Sequence, residues 1–286
     1  MNGPTPLHQN YERVLARIDR ACKAAARAPA SVRLLAVSKT FPAADVLALA
    51  ALGQRAFGEN YVQEALDKIS ACRDERSQAG SGNGARTWAA DPDRDVPLEW
   101  HFIGPIQSNK TRQIAEAFDW VHSVDREKIA VRLGQQRPEA MAPLQCCVQV
   151  NVSGEASKSG CAPEAALDLA RTVAAQPRLR LRGLMVIPEP TDDVALQRSR
   201  FASARLLLAQ LREKLGREAP QVAAGLDTLS MGMSADLESA IAEGATIVRI
   251  GSALFGARPA AAAGPSPDGA TAGAPTVRPP VVRPSP

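Results

Sequence analysis

The sequence predicts an α/β protein, a single (β/α)8 barrel with one additional N-terminal helix. Three observations predict it. Eight short runs of apolar residues recur along the chain, several of them β-branched or continuously apolar, as parallel strands covered on both faces require. Helical patterns alternate strictly with these runs, and strict β-then-α order with eight strands specifies the barrel. Near the end, Leu229–Gly256 (LSMGMSADLESAIAEGATIVRIGSALFG) contains two successive strand-to-helix junctions, each with a Gly and a Ser. Unpaired N–H groups and the helix dipole make such junctions attractive to an anion, and barrels bind phosphate in the loops after strands 7 and 8.

The elements follow in order. A helix from about Gln9 to Ala28 precedes the barrel. The strands are Arg33–Ser38, Arg55–Gly58, Glu99–Ile103, Trp120–His122, Leu144–Val150, Leu181–Ile187, Leu226–Met231 and Thr246–Ile250. Between them lie helices at Pro42–Ala51, Tyr61–Cys72, Asn109–Ala117, Arg126–Gln136, Pro163–Ala175, Val194–Leu215 and Ala235–Glu243. A doubly wound open sheet is the competing architecture, but it carries a Gly-rich first turn, and here the first strand ends in Ser-Lys-Thr. Two segments stand outside the alternation. Arg73–Pro97, with QAGSGNGA at its centre, reads as a flexible inserted loop. Residues 259–286 hold eight of the 22 prolines with almost no large apolar side chains and read as a disordered tail. The expected organisation is therefore a barrel over residues 1–258 and no C-terminal β-domain.

Composition excludes several function classes. At 286 residues, 45% apolar and 22% charged, the chain is an ordinary soluble domain. A net charge of +4 with 4% aromatics is neither a basic nucleic-acid patch nor a base-stacking platform. No stretch reaches the length of a membrane span and the start lacks a signal-peptide pattern. Cys22, Cys72, Cys146, Cys147 and Cys161 form no CxxC or Cys/His metal pattern. An odd set of thiols without a framework suits a reducing, cytoplasmic compartment. As adjacent strand residues, Cys146 and Cys147 face opposite sides.

Barrel active sites lie at the C-terminal ends of the strands, which nominates the candidates. Lys39 ends the first strand, where lost solvation lowers an amine's pKa and makes it a nucleophile toward an aldehyde; a lysine snorkelling to solvent is the bland alternative. Asn60 follows the second strand, and with Gln63 it also fits a capping box. Met231 and Ser234 follow the seventh strand, where Ser234 also suits an N-cap and the methionine a core. Arg249, Gly251 and Ser252 end the eighth, where a wall arginine in an ion pair is the bland alternative. His101 reads as a hydrogen-bonded wall residue. The cluster His122, Ser123 and Asp125 reads as a triad fragment or as ordinary caps. A lysine nucleophile, two phosphate-type turns and an arginine together fit pyridoxal 5′-phosphate (PLP), an aldehyde carrying a phosphate. An aspartate beside the pyridine nitrogen would stabilise the protonated ring, whereas an arginine cannot accept that proton, so the electron sink is weak.

At these residues the chain resembles the YggS/PROSC family of PLP-binding proteins, the PLP homeostasis proteins. The resemblance spans about Tyr11 to Gly256. It rests on LLAVSKT ending at Thr40, FGENYVQEA from Phe57, WHFIGPIQSNK from Trp100, HSVDR from His122, NVSGEASKSG from Asn151, GLMVIP from Gly183, LSMGMSADLESAI and VRIGSALFG. It implies the fold-type III barrel of alanine racemase and PLP bound as a Schiff base to Lys39, with Arg249 toward the ring nitrogen. It further implies phosphate on Ser234, Gly251 and Ser252, with Asn60 and Met231 lining the cofactor. The implied role is a cytoplasmic, monomeric PLP carrier or buffer with no metal and no catalytic residues, whose recipients are apo PLP enzymes.

The residues themselves support that reading over the alternative, a fold-type III racemase or decarboxylase. A racemase needs a second base, supplied by a tyrosine from an added domain. Here the tyrosines are Tyr11 and Tyr61, and the tail is too poor in apolar residues to build such a domain. A cofactor-free lysine aldolase and a Pro-rich-tail adaptor complete the competing readings.

Overall fold

The eight apolar runs become eight short parallel strands that close on themselves in sequence order. The computed structural model describes residues 3–78, 96–153 and 159–256. The strands are β1 (Arg33–Val37), β2 (Ala56–Glu59), β3 (Glu99–Phe102), β4 (Trp120–Val124), β5 (Leu144–Gln149), β6 (Leu179–Met185), β7 (Thr228–Ser230) and β8 (Ile247–Ile250). β1 closes the barrel by pairing with both β2 and β8. The helices are α1 (Pro6–Ala24), α2 (Ala43–Ala51), α3 (Val62–Gln78), α4 (Thr111–Ala117), α5 (Glu127–Gln136), α6 (Ala166–Ala174), α7 (Val194–Glu218), α8 (Pro220–Ala224), α9 (Leu237–Ala242) and α10 (Ser252–Phe255). None of the described helices is long and apolar enough to cross a membrane.

Period-two alternation sorts the strand residues into two cores. Leu35 and Val37 of β1 join Ala56, Ile103, Trp120, Cys147, Met185 and Ile247 in the barrel interior. Leu34 and Ala36 face outward into the larger core under the helices, as does Cys146. The two adjacent cysteines therefore do face opposite sides. All five cysteines are free thiols.

Helix α1 begins at Pro6, three residues earlier than the sequence suggests, because Thr5 caps it: its hydroxyl oxygen accepts from the His8 N–H at 3.3 Å. Helix α3 runs to Gln78, so the first residues of the expected inserted loop are helical. CRDERSQ is rich in good helix formers, and its charged side chains need no core. Residues 79–95 and the tail from 257 lie outside the described residues. The short helix α8 was not foreshadowed by an apolar period.

The N-terminal helix braces the end of the barrel where the two Gly/Ser junctions lie. Asn10 donates its side-chain N–H to the Leu254 carbonyl of α10 at 2.9 Å. Arg17 forks onto Glu238 of α9 at 2.6 and 2.8 Å and also donates to the Ser234 carbonyl at 2.9 Å. Just past the end of α1, Arg27 donates to the Ile241 carbonyl of α9 at 2.7 Å. The extra helix thus ties down the loops after β7 and β8.

Candidate functional site

At the C-terminal ends of the strands a cavity of about 390 Å3 gathers Lys39, Asn60, Ser234, Arg249, Gly251 and Ser252. Six of the seven residues expected there from sequence therefore converge. The seventh, Met231, does not. It is fully buried and belongs to the outer core, while Met185 and Met233 line the cavity instead. Gly232, at φ +92°, redirects the chain between Met231 and Met233. A Cβ at position 232 would stand 2.6 Å from the Ala240 Cβ, so only glycine fits this turn. A larger cleft of about 600 Å3, lined by Cys72, Arg76 and Trp100 among others, lies on the flank of the barrel and contains none of the strand-end chemistry.

The turn carrying Lys39 is held from both sides. Thr40 adopts φ +69°, a left-handed conformation that costs a β-branched residue energy and needs support. Helix α3 supplies it. Lys68 Nζ donates to the Ser38 carbonyl at 2.7 Å, just before Lys39. Glu64 accepts the Thr40 N–H at 2.5 Å, just after it. Lys68 also meets Glu59 at 2.6 Å and Glu64 at 3.0 Å, and Ser38 donates its hydroxyl to Glu59 at 2.6 Å. Lys68 and Glu59 are both buried, and burial pushes the Glu59 carboxyl up, against the opposing pull of Lys68 and Ser38. In the sequence, Glu64 and Lys68 look like an ordinary i,i+4 surface pair, so this clamp leaves no distinct signal there.

Asn60 and Gln63 form no capping box. Gln63 donates to Asp67 at 3.1 Å, and the buried Oδ1 of Asn60 has no partner among the described residues. The Asn60 backbone is pinned by the loop after β3, where a Cβ at Gly104 would fall 2.2 Å from the Asn60 carbonyl oxygen. Ser234 does not cap α9. Asp236 sits at the N-cap and accepts from the Met233 N–H at 2.6 Å, closing the loop that presents Ser234.

The Ser and Asp near His122 form no triad with it. His122 points into the barrel beside Trp120, while Ser123 donates its hydroxyl to the Gly104 carbonyl at 2.5 Å. Asp125 pairs with its neighbour Arg126. His122 instead meets His101 and Ser230, each at 2.8 Å. Ser230 accepts from Arg249 Nη1 at 2.9 Å, and Arg249 Nη2 donates to the Val186 carbonyl at 3.0 Å. Arg249 is 4% exposed, and burial lowers its pKa to about 10. It therefore remains a cation, and no carboxylate among the described residues is bonded to it. The alternative of a wall arginine in an ion pair finds no partner among them.

Lys39 and Arg249 are the only ionisable side chains among the described residues lining the cavity. Tyr11 is buried under α1 and Tyr61 is more than half exposed outside the lining. No group of His, Cys, Asp or Glu able to hold a metal occurs among the described residues.

A family model described as alanine racemase, N-terminal domain, matches residues 11–259. The chain is 57% identical over 250 residues to the pyridoxal phosphate homeostasis protein of Pseudomonas aeruginosa, covering 87% of this chain and 95% of that one. It is similar to PipY of Synechococcus elongatus, solved with PLP bound. That likeness has 37% identity and a TM-score of 0.65, and it covers 84% of this chain and 99% of PipY. Alanine racemase of Corynebacterium glutamicum matches at 16% identity with a TM-score of 0.54, over 87% of this chain and 62% of the racemase. This last likeness shows the fold alone.

Proposed function

Because the chain belongs to the pyridoxal phosphate homeostasis proteins, within the alanine racemase N-terminal-domain family, we propose that it binds PLP reversibly through Lys39 and acts in PLP homeostasis as a carrier or buffer. One observation carries the reading. The cavity collects an amine, a cation and two Gly/Ser turns, yet among its described lining residues no second acid or base stands across from Lys39. That set can hold a phosphorylated aldehyde but lacks the partner that two-base chemistry on an amino acid requires.

The residues present fit the group. The buried Asn60 Oδ1 needs a donor that the described residues do not supply, and the ring hydroxyl of PLP is such a donor. When bound, the cofactor supplies an aldehyde that condenses with a primary amine and a phosphate that anchors it. Lys39 is the amine, presented by the clamp from α3. Ser234 and the Gly251–Ser252 turn take the phosphate through hydroxyl and backbone N–H groups, braced from behind by Arg17 and Asn10. Arg249, a cation that only donates, would serve the ring nitrogen and could not accept a proton from it. Met231 supports the turn from the core rather than touching the ligand.

The reading extends to a monomeric cytoplasmic protein that hands its cargo to apo PLP-dependent enzymes; the five free thiols support a reducing compartment. Purified protein mixed with PLP should develop the visible band of a lysine-bound cofactor. Borohydride should fix it on Lys39, and Lys39→Ala should abolish it. A band that survives in Lys39→Ala overturns the assignment. Racemisation or decarboxylation across an amino-acid panel would favour the enzyme reading instead.

A further inference from the structure

Five polar residues from four strands form a continuous chain through the apolar interior of the barrel. Glu99 starts β3 at the N-terminal end, where Arg33 at the start of β1 pairs with it at 2.7 Å. Glu99 contacts His101 Nε2; His101 Nδ1 meets His122 Nε2; His122 Nδ1 meets Ser230 Oγ; and Ser230 Oγ receives Arg249 Nη1. Both histidines are fully buried, and Trp120 stacks on His101 at 5.3 Å between ring centroids. The surrounding wall is Leu35, Ile103, Met185 and their neighbours.

The two ends of this chain dictate its direction. An arginine can only donate, and an ionised carboxylate can only accept. Glu99 therefore takes the hydrogen of His101 Nε2. With His101 neutral, its Nδ1 is bare and takes the hydrogen of His122 Nε2. The bare Nδ1 of His122 then takes the hydroxyl hydrogen of Ser230, whose lone pair takes Arg249. Every link is satisfied, and every donor points from the cavity toward Glu99. One extra proton on His101 would turn His122 round, so that Ser230 received two donors and its own hydrogen lost its acceptor. Burial opposes that proton on both rings, and Arg33 helps to keep Glu99 ionised.

We propose that Arg249–Ser230–His122–His101–Glu99 is a one-directional hydrogen-bond relay that fixes the Arg249 guanidinium in the cavity, with Ser230 and His122 as positioning residues and Glu99 as the anchor that selects the tautomer of both histidines. Two of the guanidinium nitrogens are thereby committed, Nη1 to Ser230 and Nη2 to the Val186 carbonyl. In a low-dielectric interior such a chain is stiffer than its separate links. This inference rests on the reading of Arg249 as the residue at the PLP ring, and it extends that reading to residues at the opposite end of the barrel.

The test begins without cofactor. The chain has three histidines, and His8 lies on α1 outside the relay. Nitrogen-15 NMR of the unloaded protein near neutral pH should show His101 and His122 both as neutral Nε2–H tautomers. A neutral Nδ1–H tautomer or an imidazolium at either site overturns the relay. In the loaded protein, Ser230→Ala and His122→Phe should each weaken PLP binding roughly tenfold and shift the pH midpoint of the visible band. His122→Gln should restore both, because its amide can accept from Ser230 and donate to His101. Variants that bind and titrate like the wild type also overturn the relay. If the wild type gives no Lys39-dependent band, the PLP reading fails, and the tautomers alone decide the relay.

Discussion

Replacing Lys68 by Met tests the clamp behind Lys39, and its cost can be worked from the structure. Lys68 and Glu59 form a buried pair at 2.6 Å. Removing one partner of such a pair typically costs about 3–5 kcal/mol, because the other charge is stranded. Here a ceiling applies, since Glu59 can take up a proton instead. From its ordinary value of 4.5 to a pH near 7 is two and a half units, which at about 1.36 kcal/mol per unit limits this part of the loss to about 3.4 kcal/mol. At pH 5.5 the same reasoning leaves about 1.4 kcal/mol. The sign follows from proton counts. The folded variant holds a proton on Glu59 that the unfolded chain has released, so its deficit relative to wild type grows as pH rises. Urea unfolding of the unloaded protein, followed by circular dichroism at several pH values, measures this. A loss of about 3 kcal/mol near pH 7 corresponds to roughly 6–12 °C in Tm for a domain of this size. Glu59→Met added to Lys68→Met should recover much of it, because the stranded charge is then gone. A deficit that does not change with pH would refute the argument, since it would mean Glu59 is already neutral beside Lys68.

Further outcomes follow from the same geometry. The buried His122 is held neutral, its pKa pushed well below 6.5, chiefly by burial, with the Arg249 and Arg33 cations acting in the same direction. The unfolded chain therefore binds more protons in acid, and stability should fall as pH drops from 7.5 to 5.5, by about 1.4 kcal/mol for this residue. The difference between wild type and His122→Gln isolates it, because Glu59, whose raised pKa slopes the opposite way, is common to both; parallel curves would contradict the assignment. Gly104→Ala should destabilise by more than about 2 kcal/mol, since its Cβ would overlap the Asn60 carbonyl at 2.2 Å. It should also weaken PLP binding by displacing Asn60, and normal affinity in a folded Gly104→Ala protein would remove Asn60 from the site.

The barrel was legible in the sequence because burial there is a local pattern. The alternation of Leu34 and Ala36 against Leu35 and Val37 follows from period two alone, and eight such runs alternating with helices permit few other closures. Lys39, Ser234, Arg249, Gly251 and Ser252 were legible for a related reason. Each stands at a strand end, and the barrel brings all strand ends to one face. Boundaries were less legible. The extension of α3 to Gln78 depends on residues that satisfy a helix without needing a core.

What the sequence determined by itself, then, is the barrel, the face where the strand ends gather, and a lysine, an arginine and two Gly/Ser turns upon it. Only the tertiary structure decided what each residue touches. It placed Met231 in the core because Gly232 turns the chain there. It drew Lys68 and Glu64 behind Lys39, and it joined Glu99, His101, His122, Ser230 and Arg249 across the barrel. These partners are separated in sequence by up to 108 residues, and a hydrogen bond depends on tenths of an ångström that no local pattern records.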